Sequence, residues 1–253
     1  MNLIPVCLLA SSLFLGPAPG LQKGGSTHEA PSKVEVILFQ VNVGEAFDSF
    51  LENAYLVVDQ ASKTALLIDP GAPDPPIDDY LAQHGLRLRA ILNTHGHSDH
   101  VGGNEYYARK FDVKVYAHRL DRPLILTAPS LMVFLDRAGP LKLDGFEVRL
   151  LPVPGHTPGS VCYYIQGLLF SGDTLFHGSI GLGWGTTQAE RNGSLRQEIE
   201  GIKLKLLPLP ADTRVYPGHE DGTTIGAERA HNPFLNPGGS HPVMLKVETP
   251  GDH

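Results

Sequence analysis

The stretch LNTHGHSDHVGGN, residues 92–104, places three histidines and one aspartate within six positions. A lone histidine is usually a solvated or helix-capping residue. Four imidazole and carboxylate side chains this close together, in contrast, are the ligand types that transition metals prefer. The candidates are His95, His97, Asp99 and His100. This stretch therefore predicts a metal site around which the fold is organised.

The candidate ligands lie where a strand is expected to give way to a helix. An apolar run at residues 90–92 precedes the stretch, and a segment that can begin a helix at His100 follows it. On such a turn His95 and His97, two positions apart, can point the same way. Asp99 and His100 can point toward a neighbouring position, so one loop can supply two metal ions.

Three further candidate ligands occur in the second half of the chain, each beside a glycine and after a strand-like segment. His156 lies in PGHTPG, Asp173 in FSGDTLF and His219 in YPGHED. Glycine permits the tight turns that can direct the next side chain into a cleft. Each motif alone is more often a turn than a metal site, but the three complete a ligand set with the first stretch.

The order of these motifs resembles that of the metallo-β-lactamase superfamily. The pattern H-x-H-x-D-H at residues 95–100, then Gly-His, Gly-Asp and Gly-His ending at residues 156, 173 and 219, extends the resemblance from about residue 34 to about residue 235. The segments GDTLF (172–176), TTIG (223–226) and NPFL (232–235) are similar to the short, glyoxalase II-like hydrolases. The resemblance implies an α/β fold, the αββα sandwich, in which two mixed β-sheets pack face to face with helices on the outer faces.

The resemblance also implies two metal ions that share one aspartate. The ligands are His95, His97 and His156 for one ion, Asp99, His100 and His219 for the other, and Asp173 between them. Divalent ions are expected, with zinc first, and iron or manganese also suit this mixture of imidazole and carboxylate. Asp69, in LLIDPG, matches an aspartate that supports the ligands in the family, although the same sequence is equally typical of a turn that ends a strand.

Such a centre implies a metal-dependent hydrolase that uses a metal-bridging hydroxide. Metal binding lowers the pKa of water from about 15.7 to about 7, so a nucleophile exists at neutral pH without a serine or cysteine. Asp99 is the residue expected to orient the hydroxide and take up its proton. The glyoxalase II-like segments favour thioesters of the hydroxyacyl-glutathione type as substrates.

Other reactions of this fold stay open at the level of sequence. A persulfide dioxygenase would use a single iron ion, and a lactonase commonly has tyrosine where Phe176 stands. A β-lactamase with the same histidine motif usually lacks an aspartate that matches Asp173.

Residues 182–191, LGWGTTQAER, replace the arginine-containing loop of the short relatives. The wall of the substrate cleft is therefore expected to differ from theirs, with Trp184 as an apolar contact for the substrate.

Composition and charge fit a globular enzyme that acts on a small molecule. Of the 253 residues, 42% are hydrophobic and 19% charged, which suits one domain with a full core. The net charge is −7 and no run of lysine and arginine occurs, so a nucleic-acid partner is not expected. Cys162 follows Val161 in a strand-like run and is expected to be a buried core thiol.

Residues 1–20 have the composition of a signal peptide. Their apolar run ends near Ala18 and Gly20, which fit a secretory cleavage site. The run is too short, and too interrupted by Pro5, to span a bilayer. Export to the periplasm or the extracellular space is expected, with a cytoplasmic location as the alternative. The expected organisation is a signal peptide (1–20), a linker (21–33), a metallo-β-lactamase-fold domain (34–236) and a flexible tail (237–253).

Residue patterns also predict the elements that carry these motifs. Strands are expected at 34–41, 54–59, 65–69, 88–92, 113–117, 146–151, 161–165, 168–170 and 213–216. Helices are expected at 76–85, from His100 to Lys110, near 131–135 and at 195–207. The two halves therefore repeat one plan, in which antiparallel strands precede a strand, a ligand-bearing turn and a helix.

Overall fold

The computed structural model describes residues 34–44 and 51–236. The expected signal peptide, linker and C-terminal tail lie outside these residues and stay predictions. The first of two large sheets begins with an antiparallel meander and continues with parallel strands. Its six strands, in spatial order, are β1 (Glu35–Asn42), β2 (Leu51–Asp59), β3 (Thr64–Ile68), β4 (Arg87–Leu92), β5 (Val115–His118) and β6 (Met132–Leu135).

The second large sheet is mixed as well, because β10 and β13 pair in parallel while its other neighbours are antiparallel. Its spatial order is β14-β13-β10-β9-β8-β7. The bounds are β7 (Gly139–Leu143), β8 (Phe146–Pro152), β9 (Val161–Ile165), β10 (Leu168–Gly172), β13 (Arg214–Pro217) and β14 (Thr223–Thr224). A small hairpin, β11 (Leu175–Phe176) with β12 (Ser179–Ile180), stands apart from both sheets.

Helices occupy the connections between strands. The α-helices of the described residues are α1 (Pro75–Gln83), α2 (Ser98–Val101), α3 (Asn104–Phe111), α4 (Gln188–Gly201) and α5 (Ile225–His231). A π-helical turn, Ile202–Leu206, extends α4, and short 3-10 turns cover Arg119–Leu124 and Pro129–Leu131. No helix in residues 34–44 or 51–236 has the length and apolar character needed to cross a membrane.

Alternate residues of the central strands enter different layers, as the period of a β-strand requires. In β3, Leu66 and Ile68 face the second sheet and pack with Phe170, whereas Leu67 faces α1 and packs with Ile77. The outer face of the second sheet is covered by the π-helical turn and α5. These layers give helix, sheet, sheet, helix, so the expected αββα architecture is confirmed.

This architecture gathers several loops at one edge. Parallel strands end on the same side of a sheet, so the loops after β3, β4 and β5 lie together, as do those after β10 and β13. Backbone hydrogen bonds join the sheets at this edge: Val161 N–H donates to Thr94 O at 2.8 Å, and Asn53 N–H donates to Gly218 O at 2.7 Å. Residues that follow these strands are therefore held near one another.

Two helix predictions are corrected by the structure. The helix expected near 131–135 is wrong, because residues 132–135, Met-Val-Phe-Leu, form β6 and pair in parallel with β5. The single helix expected from His100 is two helices, α2 and α3, separated at Gly102 and Gly103. A Cβ atom on Gly103 would lie 2.7 Å from Pro70 O, so the break lets the chain pack against the turn after β3.

The last long helix also begins earlier than expected. Thr187 accepts a hydrogen bond from Glu190 N–H and the Glu190 side chain returns to the cap backbone, which forms a capping box and starts α4 at Gln188. The apolar spacing used for the prediction begins only at Leu195, about two turns after the helix starts. Cys162 is fully buried in β9, as expected.

Candidate metal centre

All seven predicted ligands are brought to the shared edge of the two sheets. His95 follows β4, His97 is the N-cap of α2, and Asp99 and His100 lie within α2. His156 lies in the turn between β8 and β9, Asp173 follows β10, and His219 follows β13. The candidate ligand atoms form groups whose members lie within 4.8 Å of one another: His95 with His97 and His156, Asp99 with His100 and His219, and Asp69 with His95 and His100.

The first group consists of three histidines whose ring nitrogens converge. His97 Nδ1 lies 3.1 Å from His95 Nε2 and 2.9 Å from His156 Nε2. Behind these rings, His156 Nδ1 lies 3.2 Å from Leu182 O, and His95 Nδ1 lies 3.2 Å from Thr94 Oγ1. A carbonyl can only accept, so His156 carries its proton on Nδ1 and its Nε2 presents a lone pair.

The same assignment follows for His95. Thr94 donates its hydroxyl proton to Asp69 Oδ2 at 2.5 Å, so its oxygen accepts from His95 Nδ1–H. The Nε2 lone pairs of His95 and His156 therefore both face His97 Nδ1, which could donate to one of them at most. The three nitrogens converge without enough protons to hydrogen-bond to one another, and such a set of lone pairs fits a bound cation. Tetrahedral zinc with bonds of about 2.0–2.1 Å would hold its ligand nitrogens about 3.3 Å apart.

The second group mixes imidazole and carboxylate. Asp99 Oδ2 lies 3.5 Å from His219 Nε2 and 3.7 Å from His100 Nε2. His219 is oriented from behind, because its Nδ1 lies 2.8 Å from Leu51 O. Carboxylate and imidazole ligands together suit zinc, iron or manganese, so this group fits a divalent ion without selecting one.

Asp173 stands between the two groups. Its Oδ1 lies 3.4 Å from His100 Nε2, and its Oδ2 lies 3.5 Å from His156 Nε2 and 3.6 Å from His219 Nε2. Asp173 Oδ1 and His100 Nε2 are buried and neither atom has a hydrogen-bond partner among the described residues. Buried polar atoms without a partner are costly, so this carboxylate is placed as a ligand shared by two ions would be.

Burial and local charge set the protonation of the centre. Burial lowers the pKa of His95 well below its ordinary value and that of His156 to about 4, so both rings are neutral at pH 7. Burial alone would raise the pKa of Asp173, but the neighbouring His100 lowers it below the usual range. A neutral imidazole, as at His95 and His156, and an ionised carboxylate, as at Asp173, are the forms that bind metal.

Asp69 is placed behind the ligands, which favours its supporting role over a simple turn. Its Oδ1 accepts from Thr94 N–H at 2.8 Å, and its Oδ2 accepts from Thr94 Oγ1 and lies 3.2 Å from His100 Nδ1. The residue adopts a positive φ of 46°, which few non-glycine residues do. One carboxylate thus fixes His100 directly and His95 through Thr94.

Two other carboxylates beside the centre were not predicted from sequence. Glu52, on β2, is fully buried, and its Oε1 lies 3.6 Å from His100 Nδ1; burial raises its pKa well above the usual range. Asp121, in the turn after β5, accepts hydrogen bonds from the loops of His95 and His156. Neither sits in a glycine turn like the predicted ligands. The sequence feature that could have indicated Asp121 is its position after β5, because β5 ends at the same edge of the sheet as β4, which precedes His95.

The loop before α4 forms one wall of the centre. Trp184 N–H donates to Gly155 O at 2.8 Å, and Trp184 O accepts from Ser194 Oγ of α4 at 2.8 Å. With its backbone held on both sides, the indole stacks beside His97 with ring centroids 5.9 Å apart, and the residue remains 38% exposed. This arrangement leaves an apolar surface next to a candidate ligand.

Comparison with known proteins agrees with this geometry. Residues 48–219 match the family model described as the metallo-beta-lactamase superfamily. The chain is 34% identical over 201 residues to the probable metallo-hydrolase YqgX of Bacillus subtilis, covering 73% of this chain and 92% of that protein. It is 35% identical over 206 residues to the hydroxyacylglutathione hydrolase GloC of Haemophilus influenzae, covering 74% and 94%.

Three solved structures are similar over most of the described residues. The BLEG-1 B3 metallo-beta-lactamase is 34% identical with a TM-score of 0.64, covering 79% of this chain and 99% of that one. TTHA1623 in a di-iron-bound form is 37% identical with a TM-score of 0.62, covering 78% and 100%. ETHE1 from Myxococcus xanthus is 28% identical with a TM-score of 0.63, covering 78% and 83%.

Proposed function

Since the chain belongs to the metallo-beta-lactamase superfamily and is a metallohydrolase of that fold, we propose that it binds two divalent ions and hydrolyses thioesters of the hydroxyacyl-glutathione type. The observation that carries this proposal is the position of Asp173, whose carboxylate lies within 3.6 Å of His156 in the first ligand group and of both His100 and His219 in the second. The di-iron form of TTHA1623 supports the two-ion assignment. The name of GloC supports the substrate class.

The residues of the centre divide between holding ions and moving a proton. His95, His97 and His156 would hold one ion, Asp99, His100 and His219 the other, with Asp173 shared. Bound divalent ions supply a water-derived nucleophile at neutral pH and a Lewis acid for the substrate carbonyl. Burial would raise the pKa of Asp99, but the neighbouring His219 and His100 lower it, so Asp99 Oδ2 is ionised and can accept a proton.

A thioester suits this constellation because its leaving group needs little help. A thiol has a pKa of about 8.5, so a thiolate leaves without a strong general acid. An alcohol or amine leaving group would need a proton donor, whereas the carboxylates facing the centre, Asp99 and Asp173, both have lowered pKa values and are ionised. The indole of Trp184 adds an apolar contact for the acyl or thiol portion.

Two alternatives are favoured by single observations. The similarity to ETHE1 favours a persulfide dioxygenase, which would use one iron on two histidines and an aspartate. The similarity to BLEG-1 favours a β-lactamase. The placement of Asp173 between two groups speaks against both alternatives, because a single-iron site leaves the second group unused and β-lactamases with this motif usually lack that aspartate.

A substrate panel tests the reaction. Steady-state rates would be measured for S-lactoylglutathione, simpler acyl thioesters, a lactone and a chromogenic β-lactam, with His97→Ala as the blank. We expect the highest kcat/KM for a thioester, and loss of activity in the blank, because His97 Nδ1 is the atom on which the first group converges. Faster turnover of the lactone or β-lactam than of every thioester would overturn the reaction assignment.

Metal analysis tests the two-ion assignment separately. Protein purified without chelator should contain close to two ions per chain, and Asp173→Ala should lose metal and activity together because both groups depend on that carboxylate. A fully active wild-type enzyme with one iron per chain would favour the dioxygenase instead.

A further inference from the structure

Asp121 is a fully buried carboxylate outside the ligand set that connects two ligand-bearing loops. Its Oδ2 accepts from Gly96 N–H at 2.9 Å and from Thr157 Oγ1 at 2.6 Å. Its Oδ1 accepts from Gly159 N–H at 2.6 Å. Three donors on one buried carboxylate form a closed arrangement with short, charge-assisted hydrogen bonds.

The donors lie beside the ligands of the first group. Gly96 separates His95 from His97 in the loop after β4, and Thr157 directly follows His156 in the turn between β8 and β9. These strands belong to different sheets. Asp121 itself follows β5, so its carboxylate joins the two sheets at the point where the first three histidines meet.

Close packing fixes the distances around this carboxylate. A Cβ atom on Gly159 would lie 2.5 Å from Asp121 Cγ, and a Cβ atom on Gly96 would lie 3.1 Å from Asp121 Cβ. Both glycines therefore pack closely against Asp121, with no room for a side chain at Gly159 and little at Gly96. The hydrogen bonds oppose movement of the two loops away from the carboxylate.

We propose that Asp121 is a positioning residue for the first metal group, which sets the separation of the loop of His95 and His97 from the turn of His156. This inference rests on the proposed two-ion function. In Asp121→Asn one oxygen becomes an amide NH₂, which cannot accept from the donors that face it. One loop then shifts, and the three nitrogens no longer converge at 2.9 and 3.1 Å.

Glu228 offers a matched control for a purely structural effect. It is also a buried carboxylate with three donors: Gly178 N–H at 3.0 Å, Thr223 Oγ1 at 2.7 Å and Asn232 Nδ2 at 2.8 Å. Each of its donors lies at least four residues from a predicted ligand. Glu228→Gln should therefore perturb folding in a comparable way without disturbing the first group.

The experiment measures metal affinity rather than activity. Two binding steps would be resolved by competition with a chromogenic chelator, and His156→Ala and His219→Ala would identify which step belongs to which group. We expect Asp121→Asn to weaken the step that His156→Ala removes by about 10- to 100-fold, and to leave the other step unchanged. Glu228→Gln should leave both steps at wild-type affinity, with any effect confined to the melting temperature of the metal-free protein.

The outcomes separate this inference from the proposed function. If the wild type binds fewer than two ions, the proposed function fails. If the wild type binds two and Asp121→Asn binds both with wild-type affinity, or loses both equally, only the role of Asp121 fails. Should Asp121→Asn not fold, Thr157→Val removes one of the three donors while keeping the carboxylate. It should weaken the same step selectively, and unchanged affinity would overturn the proposal.

Discussion

Asp69 determines how two of the histidines face the centre. Its carboxylate accepts from Thr94 N–H and Oγ1 and lies 3.2 Å from His100 Nδ1, which leaves His100 Nε2 directed at Asp173. A metal-binding histidine depends on the group behind its ring for its tautomer and orientation. Asp69, which lies behind the ligands, is therefore expected to influence metal affinity nearly as much as a ligand does.

We expect Asp69→Asn to lower metal affinity by about 10- to 100-fold, because donors face both oxygens of Asp69 and the NH₂ group that replaces one oxygen cannot accept from them. Asparagine tolerates a positive φ, so the backbone at 46° should be kept. The matched control is Asp144→Asn, at a turn with φ of 47° and an ion pair to Arg89. Zinc titration would measure the metal affinity of both variants. Equal affinity in Asp69→Asn and Asp144→Asn would contradict the supporting role of Asp69.

Single residues were predictable from sequence where the motif itself carries the chemistry. The four candidates in residues 95–100, and the three that follow glycines, are recognisable because their side chains are ligands. Asp121 acts through hydrogen bonds across the fold, and Glu52 is placed beside His100 by the fold. Glu52 lies on β2 and meets His100 only when β2 and α2 are brought together. No local pattern contains that contact.

At the scale of elements, the segment that leads into α4 combines support and recognition. Leu182 O faces His156 Nδ1, and Trp184 N–H is bonded to Gly155 O, so backbone atoms of this loop hold a ligand. The side chain of Trp184 instead lies beside His97 and is partly exposed. Substitution of the side chain should therefore alter substrate binding without removing metal.

We expect Trp184→Ala to raise KM about 10-fold for thioesters with bulky or aromatic groups, equivalent to about 1.4 kcal/mol, with little change in kcat or metal content. An acetyl thioester should show a smaller change, and Trp184→Phe should restore most of the binding. Leu204→Ala, at an exposed apolar residue of the π-helical turn, is the control. Parallel loss of kcat for all substrates, including the acetyl thioester, would contradict a role in recognition.

Elements were predictable where the apolar period is strong and less so elsewhere. The strands of the central layers follow their period, but residues 132–135 have too few positions to distinguish a strand from a helix. Pairing with β5 decides that segment in favour of β6. The start of α4 depends on its capping box, not on the apolar residues that begin about two turns later at Leu195.

The whole molecule places the centre between its two sheets. The loop of His95 and His97 belongs to the first sheet, whereas His156, Asp173 and His219 come from the second. The repeated plan of the two halves predicts this arrangement in outline, since each half ends its parallel strands at the same edge. Ions bound at that edge would connect the sheets, so metal content should influence the stability of the entire fold.

Removal of metal should therefore lower the melting temperature. An ion that binds only the folded chain stabilises it by about 2.7 kcal/mol when its free concentration is 100 times its Kd. For a domain of this size, about 1 kcal/mol corresponds to about 2–4 °C, so a shift of about 5–10 °C per ion is expected on adding chelator. The measurement is calorimetry of the wild type and of His156→Ala with and without chelator. His156→Ala should show a smaller shift because its first group lacks a ligand. Identical melting of the wild type in both conditions would mean that the ions do not connect the sheets.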